Sequence, residues 1–355
     1  EWFLTNVTEL PVSENFAWVT GWTSDMDGED IQRALDEARV SAIVRYPPAP
    51  RDVQPPMVLQ NPWWARPFEL FAGMIGTPDG NEADPSLLVA IMVPLLFGYM
   101  FGDVGHGFVL LLTGLLLQKR WPLLRILVIN GVAAMVFGVV FGSVFGREDI
   151  IPALWLHPLE QPLPVMMVPL AGGVVILLLG LVLNAVESWW RSEFGDWLRV
   201  EAAVLCMYLS LLAALFRHGS LLITGGCLVW YLAGNLHGVR SGRLARLGVA
   251  LGTLVESIMQ LLINTISFVR VGAFALAHGG LSLAFVIMAG ATENVVAGIL
   301  IMLLGNVIVI LLEGLVVTIQ TTRLVLFEFF IRFLRGSGRM FRPLAAPRET
   351  VDLRE

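Results

Sequence analysis

The sequence predicts an all-α polytopic membrane protein of eight transmembrane helices, the last two long and tilted, preceded by a small N-terminal α/β piece. Three observations carry that expectation. Of 355 residues, 56% are hydrophobic and 15% charged, where an ordinary soluble domain has about 45–50% and about 25%. The mean hydropathy is +0.74. From residue 86 onward, apolar runs follow one another with only short loops between them. The net charge of −6 decides little, because in a membrane protein the location of the charges matters more than their sum. The two cysteines, Cys206 and Cys227, fall inside apolar runs, so no disulfide framework is implied. Residue 1 is Glu and no charged-then-apolar leader opens the chain, so a fragment of a longer protein is expected.

Residues 1–60 are the soluble exception. The stretch 16–22, FAWVTGW, reads as a strand, and 27–38, DGEDIQRALDEA, reads as a helix capped by Ser24 or Asp27. A second strand is expected at 40–46, VSAIVRY. This piece is too small to be a whole domain with a good core. PPAPRDVQPP (47–56) is a Pro-rich linker. Residues 61–85 form the next segment: NPWWARPFELFAGMIG (61–76) reads as an amphipathic helix at the membrane surface, anchored by its Trp pair, and 77–85 is a turn-rich loop. The membrane domain covers 86–340, with spans expected at 86–101, 104–118, 124–145, 165–187, 198–216 and 219–237. Longer helical segments follow at 250–290 and 294–335, and 341–355 is a tail. The first two spans are one apolar stretch broken by GDVGHG (102–107), whose glycines allow a tight reversal.

The charges orient the spans. With eight of them, both termini share a side with QKRWPLLR (118–125), SWWRSEFGDWLR (188–199), GVRSGRLARLG (238–248) and RFLRGSGRMFRPLAAPR (332–348). Arginine crowds these segments, as it does on a cytoplasmic face. The N-terminal piece and the C-terminus are therefore expected in the cytoplasm.

Polar groups in the last two helices form stripes. On a helix with Glu256 at zero, Gln260, Asn264, Ser267, Arg270 and His278 fall within an arc of about 120°. From Glu256 to His278 the rise is about 33 Å, close to a hydrocarbon core of about 30 Å. In the final helix Asn306, Glu313 and Gln320 recur every seven residues, with Arg323 following. Ser, Asn and Gln often do no more than hydrogen-bond helices together. Arginine, histidine and glutamate inside a membrane mark ion or proton pathways. A structural ion pair between Arg323 and Glu313 is the competing account of those two residues. His106 in GDVGHG reads as a turn or packing residue, because a small-residue turn explains the motif, and Asp103 fits either role. His157, beside Trp155, reads as interfacial.

Three segments carry a family resemblance: FGYMFGDVGHGFVLLLTG (97–114), SFVRVGAFALAHGGLS (267–282) and LLEGLVVTIQTTRLVLFEFFIRFLRGSG (311–338). Together they resemble the membrane half of subunit a, called subunit I in bacteria and archaea, of the V-type/A-type rotary ATPases. The resemblance runs from about residue 14 to near the end of the chain. It implies a stator subunit that forms two aqueous half-channels against a rotating ring and translocates H⁺ or Na⁺. It also implies residue roles. Arg270 matches the essential arginine and Arg323 its partner. Glu313 and His278 match polar residues of the non-cytoplasmic half-channel. Glu256 matches the acid of the cytoplasmic one, Gln260 stands where relatives have Asn, and Gln320 precedes Arg323 as in the prokaryotic branch. Ser267 opens the arginine motif.

The implied partners are the ring, whose subunits each carry a carboxylate, the central and peripheral stalk subunits, and membrane lipid, with no nucleic acid. The implied location is a prokaryotic plasma membrane. No cofactor and no metal is implied. No G-x-x-x-x-G-K motif is present, so nucleotide hydrolysis is not expected in this chain. The sequence departs from the family at Gly272 and Phe274, where relatives often have Trp and Ser, which bears on packing against the ring or on nothing. A secondary transporter would show internal repeats with broken helices in both halves, whereas the ionisable residues here crowd the last third. A purely structural anchor would leave the two stripes unexplained.

Overall fold

A computed structural model describes residues 21–25, 27–46, 55–59, 61–79, 82–237, 243–332, 336 and 338–341. The chain divides into two compact units, one of Glu1–Gln60, Thr77–Gly80 and Gly336–Glu355, the other of Asn61–Gly76 and Asn81–Arg335.

In the first unit, α1 (Glu29–Glu37) forms where the charge pattern predicts a helix. Its start is not capped by Ser24 or Asp27. Gly28 takes a left-handed φ of 75°, which turns the preceding chain back over the helix end. The Asp25 carboxylate then accepts the backbone N–H groups of Asp27, Gly28, Asp30 and Ile31 at 3.0–3.3 Å, satisfying donors that a helix start leaves orphaned. Among the described residues no strand forms. The second expected strand, 40–46, pairs with nothing and leaves Ile43 88% exposed. A β-propensity run without a neighbouring strand has no ladder to join. Of the first, 16–20 lie outside the described residues, and Gly21 and Trp22 join no strand. Isolated bridges join Met57 to Met340 and Thr77 to Gly338, and the Thr77 hydroxyl donates to the Gly338 carbonyl. Linker residues 47–54 and the tail beyond 341 lie outside the described residues.

In the second unit the described residues form helices joined by loops, with one isolated bridge between Val144 and Arg147. The expected interfacial segment is a short 3₁₀ turn, Arg66–Phe68, leading into α2 (Glu69–Ile75). Then come α3 (Ser86–Met100), α4 (Val104–Leu117), α5 (Arg125–Phe141), α6 (Pro162–Trp190), α7 (Phe194–Ala214) and α8 (Leu221–Leu236). Next are α9 (Arg243–Ser267), α10 (Val269–Gly290), α11 (Val295–Ile308) and α12 (Gly314–Arg323). Among the described residues, five helical stretches are long and apolar enough to cross a membrane: Pro122–Phe141, Pro162–Trp190, Phe194–Ala214, Arg243–Gly290 and Val295–Arg332. The helices α3, α4 and α8 are apolar but shorter, at 15, 14 and 16 residues.

The brevity of α3 and α4 has a physical cause. Their reversal at Phe101–Asp103 is fully buried in protein, where irregular backbone is tolerated at membrane depth. Asp103 organises it. Its carboxylate accepts the His106 N–H at 2.9 Å, capping α4, the Phe145 and Gly146 N–H groups at 2.9 Å, and the Ser143 hydroxyl at 2.6 Å. The same bonds explain why α5 stops at Phe141 and not at the expected 145. Gly142 turns left-handed at φ 73°, and the apolar residues after it are held as a loop over the hairpin tip.

Small residues set the spacing of α4 and α5. A Cβ on Gly131 would lie 2.7 Å from the Leu111 nitrogen and 2.8 Å from the Gly107 carbonyl oxygen. Close backbone approach of this kind drives helix association in lipid. Gly131→Val should therefore force the pair apart at a cost of about 1–3 kcal/mol. The expected result is a lower detergent-solubilised yield and a lower unfolding temperature. An unchanged melting temperature would refute the close-packing account.

Two apolar cores result. One joins α3, α5, α6, α10 and the end of the last helix around Met100, Phe101, Leu177, Phe268 and Phe329. The other joins α7, α8 and α9 around Ala203, Met207, Tyr231 and Leu254, with Cys206 and Cys227 as free thiols.

Candidate functional site

The two long helical stretches form as expected, but neither is evenly wound. Between α9 and α10 the chain tightens at Phe268, whose N–H reaches Thr265 O at 3.2 Å while Val271 N–H reaches Phe268 O at 3.0 Å. These i→i−3 bonds shift the stripe just before Arg270. The last stretch contains two π-helical segments, Val309–Glu313 and Leu324–Phe329. Segments of this kind recur at functional sites because they turn side chains off the regular helical face.

The polar residues gather into two clusters. In the first, Arg270 Nη1 donates to Gln320 Oε1 at 3.1 Å, tying α10 to α12. The Ser267 hydroxyl is hydrogen-bonded to the Glu328 carboxylate, which also lies in the field of Arg270, Arg323 and Arg332. Glu328 is only 6% exposed, and Arg323 is exposed. Ile263, Ile266, Ser267 and Arg270 line an open groove of about 310 Å³. Ile263 and Ile266 are 56% and 64% exposed, so the arginine sits on an apolar outer face.

The second cluster joins residues far apart in the chain. His278 Nδ1 and Glu313 Oε2 are 2.5 Å apart, so Glu313 is partnered by His278 and forms no ion pair with Arg323. His106 Nε2 lies 2.7 Å from Asn306 Oδ1. The rings of His106 and His278 are 5.3 Å apart, and the Phe101 ring lies tilted 4.6 Å from His278. His106, expected as a turn or packing residue, is packed among the rings of Phe101, Phe145 and His278. It is fully buried and hydrogen-bonded to the last helix. Periodicity could not reveal this, because the bond spans 200 positions.

Glu256 and Gln260 belong to neither cluster. Both are exposed on α9, about 21 and about 15 Å before Arg270 along the helix. Gly272 departs from the family pattern on the buried side, where a Cβ would lie 2.7 Å from Val165 O and Met166 Cα. Its effect is therefore on packing against α6. His157 pairs with Glu148 at 3.5 Å in the loop after α5.

Glu328 is the residue that sequence reasoning missed. On a regular helix it lies about 140° from Arg323, off the stripe. The i→i+5 winding of Leu324–Phe329 brings positions five apart together. The available signal was a lone acid in an aromatic run, LFEFF, just beyond an intramembrane arginine.

Residues 2–141 match the model of the V-type ATPase 116 kDa subunit family. Across 94% of its length the chain is 27% identical to the A-type ATP synthase subunit I of Thermococcus kodakarensis. It is 28% identical to that of Pyrococcus horikoshii over 84% of the chain, and 25% identical to that of Methanocaldococcus jannaschii over 94%. The chain spans about half the length of these curated relatives, 55%, 48% and 55% respectively.

Proposed function

We propose, from its similarity to the V-type ATPase 116 kDa subunit family and to A-type ATP synthase subunits I, that the chain is the stationary ion-translocating subunit of an A-type rotary ATPase. In this reading it carries eight spans, with both termini in the cytoplasm of a prokaryotic cell, and hydrolyses no nucleotide itself. It faces a rotating ring of membrane subunits, each bearing a carboxylate, and connects to stalk subunits. Glu256 and Gln260 line the approach from the cytoplasm, and His278 with Glu313 the approach from the opposite side.

Arg270 stands between them. It never deprotonates at physiological pH, so it relays no proton. It favours the ionised form of a carboxylate brought beside it and repels a cation leaking directly from one half-channel to the other. Gln320 holds its guanidinium, Ser267 and Glu328 flank it, and Arg323 adds a second positive charge. The observation that carries the proposal is Arg270 itself: tied to Gln320 and lining an open apolar groove. A structural arginine would be buried among its partners, whereas this one faces a surface on which another helix can pass.

Crosslinking tests this. With Cys206 and Cys227 replaced, Ile266→Cys in the assembled complex is expected to form a disulfide with a cysteine placed one turn from the ring carboxylate. The bond should stop ATP-driven ion uptake until it is reduced. Failure to crosslink, or ion transport by this chain reconstituted alone, would overturn the stator reading and favour a secondary transporter.

A further inference from the structure

We propose that Asp103, His106 and His278 form a binding site for a divalent transition-metal ion of the zinc class, and that filling it arrests ion flow. The sequence alone points to no metal ligands, because two of these residues lie on the α3–α4 hairpin and the third on α10. Folding brings one ligand-type atom from each within 4.8 Å of the others. The three are 0%, 0% and 4% exposed.

The hydrogen bonds fix which lone pairs are available. Asn306 Nδ2 donates to Met302 O at 2.7 Å, so its amide turns Oδ1 toward His106 Nε2, and that nitrogen must carry the proton. His106 Nδ1 is then a bare lone pair, 3.5 Å from Asp103 Oδ1, another acceptor. His278 Nδ1 donates to the Glu313 carboxylate, which leaves Nε2 as its lone pair. Among the described residues neither His106 Nδ1 nor His278 Nε2 has a hydrogen-bond partner. Buried acceptors converging without a donor are costly, and a shared cation removes the penalty.

The donor set selects the cation. Two imidazole nitrogens and one carboxylate suit zinc, whereas Mg²⁺ and Ca²⁺ prefer oxygen throughout. Zinc bonds of about 2.0–2.2 Å require the ligand atoms to draw in by about 1 Å, within reach of side-chain rotation. The Ser143 hydroxyl, the only side-chain donor to Asp103 among the described residues, can rotate away and free a lone pair. The outer partners are those of a zinc site: a carboxylate on one histidine and an amide oxygen on the other. Water would complete a tetrahedral shell. A bound ion would pin the hairpin to α10 and hold His278 in place. Binding follows from the geometry alone, and the arrest of flow rests on the reading of His278 and Glu313 as half-channel groups.

The test uses the assembled complex stripped of metal and titrated with Zn²⁺, and with Co²⁺ as a spectroscopic probe. Wild type should bind one more equivalent per chain than His106→Gln and show a tetrahedral-type visible Co²⁺ spectrum that the variant lacks. His106→Cys, which retains a zinc ligand, should restore both. Glu313→Gln should weaken binding about 10- to 100-fold. ATP-driven uptake should fall as the site fills in wild type and be insensitive in His106→Gln. Equal stoichiometry in wild type and His106→Gln overturns the site. Stoichiometric binding with uninterrupted uptake overturns the arrest. The stoichiometry and the Co²⁺ spectrum are read without ion transport, so failure of the site is distinguishable from failure of the stator reading.

Discussion

Vesicles carrying the assembled complex with Arg270→Gln are expected to lose ATP-driven ion uptake by at least about 100-fold while assembly is retained. A carboxylate passing the Ile263–Ile266–Arg270 groove leaves lipid for a site whose nearby positive charge is Arg270. At about 4 Å and an effective dielectric of about 20, that charge is worth about 4 kcal/mol. This corresponds to about three orders of magnitude in the deprotonation equilibrium. Glutamine keeps a polar contact to Gln320 but supplies none of the charge. Arg270→Lys separates charge from geometry. A lysine keeps the charge but lacks the planar fork that can hold Gln320 and a carboxylate together, so partial uptake is expected. Passive leakage should rise in Arg270→Gln and stay low in Arg270→Lys. Full uptake in Arg270→Gln would make the arginine structural and move the search for the channel to Arg323.

The second large effect is expected at Glu328. Its buried carboxylate accepts from Ser267 and lies in the field of Arg270, Arg323 and Arg332. Truncating a buried polar side chain and stranding its hydrogen-bond partner costs about 1–3 kcal/mol. Glu328→Ala should therefore lower thermal stability in detergent and also cut uptake, since the acidic group beside Arg270 and Ser267 is lost. Glu328→Gln keeps the size and the hydrogen bond to Ser267 but not the charge. Loss of uptake in both variants identifies an electrostatic role. Full uptake in Glu328→Gln would show that the carboxylate serves packing alone.

These two residues mark what was legible beforehand. Arg270 stands out in any reading of the sequence, because a charge within an apolar run of that length announces itself. Glu328 does not, because its link to Arg323 depends on π-helical winding that no periodicity reveals. His106 was legible only as a turn or packing residue, and the Asp103 bonds that end α5 early were hidden by the apolar continuation after Phe141. The expected strand at 40–46 failed for the opposite reason. Local propensity was present, but among the described residues no partner strand was.

What the sequence by itself determined was where the helices run and which residues in the last two of them are polar. In lipid every backbone group must be bonded within its own segment, so apolar length alone dictates helix, and polar spacing along that helix is a local property. The tertiary structure decided which polar groups meet: Arg270 with Gln320, His278 with Glu313, His106 with Asn306, and Asp103 with the loop over its hairpin. Those pairs join segments up to 200 positions apart, and they are set by close helix approach at residues such as Gly131 and Gly272 and by local changes in winding. Neither leaves a periodic trace in the chain.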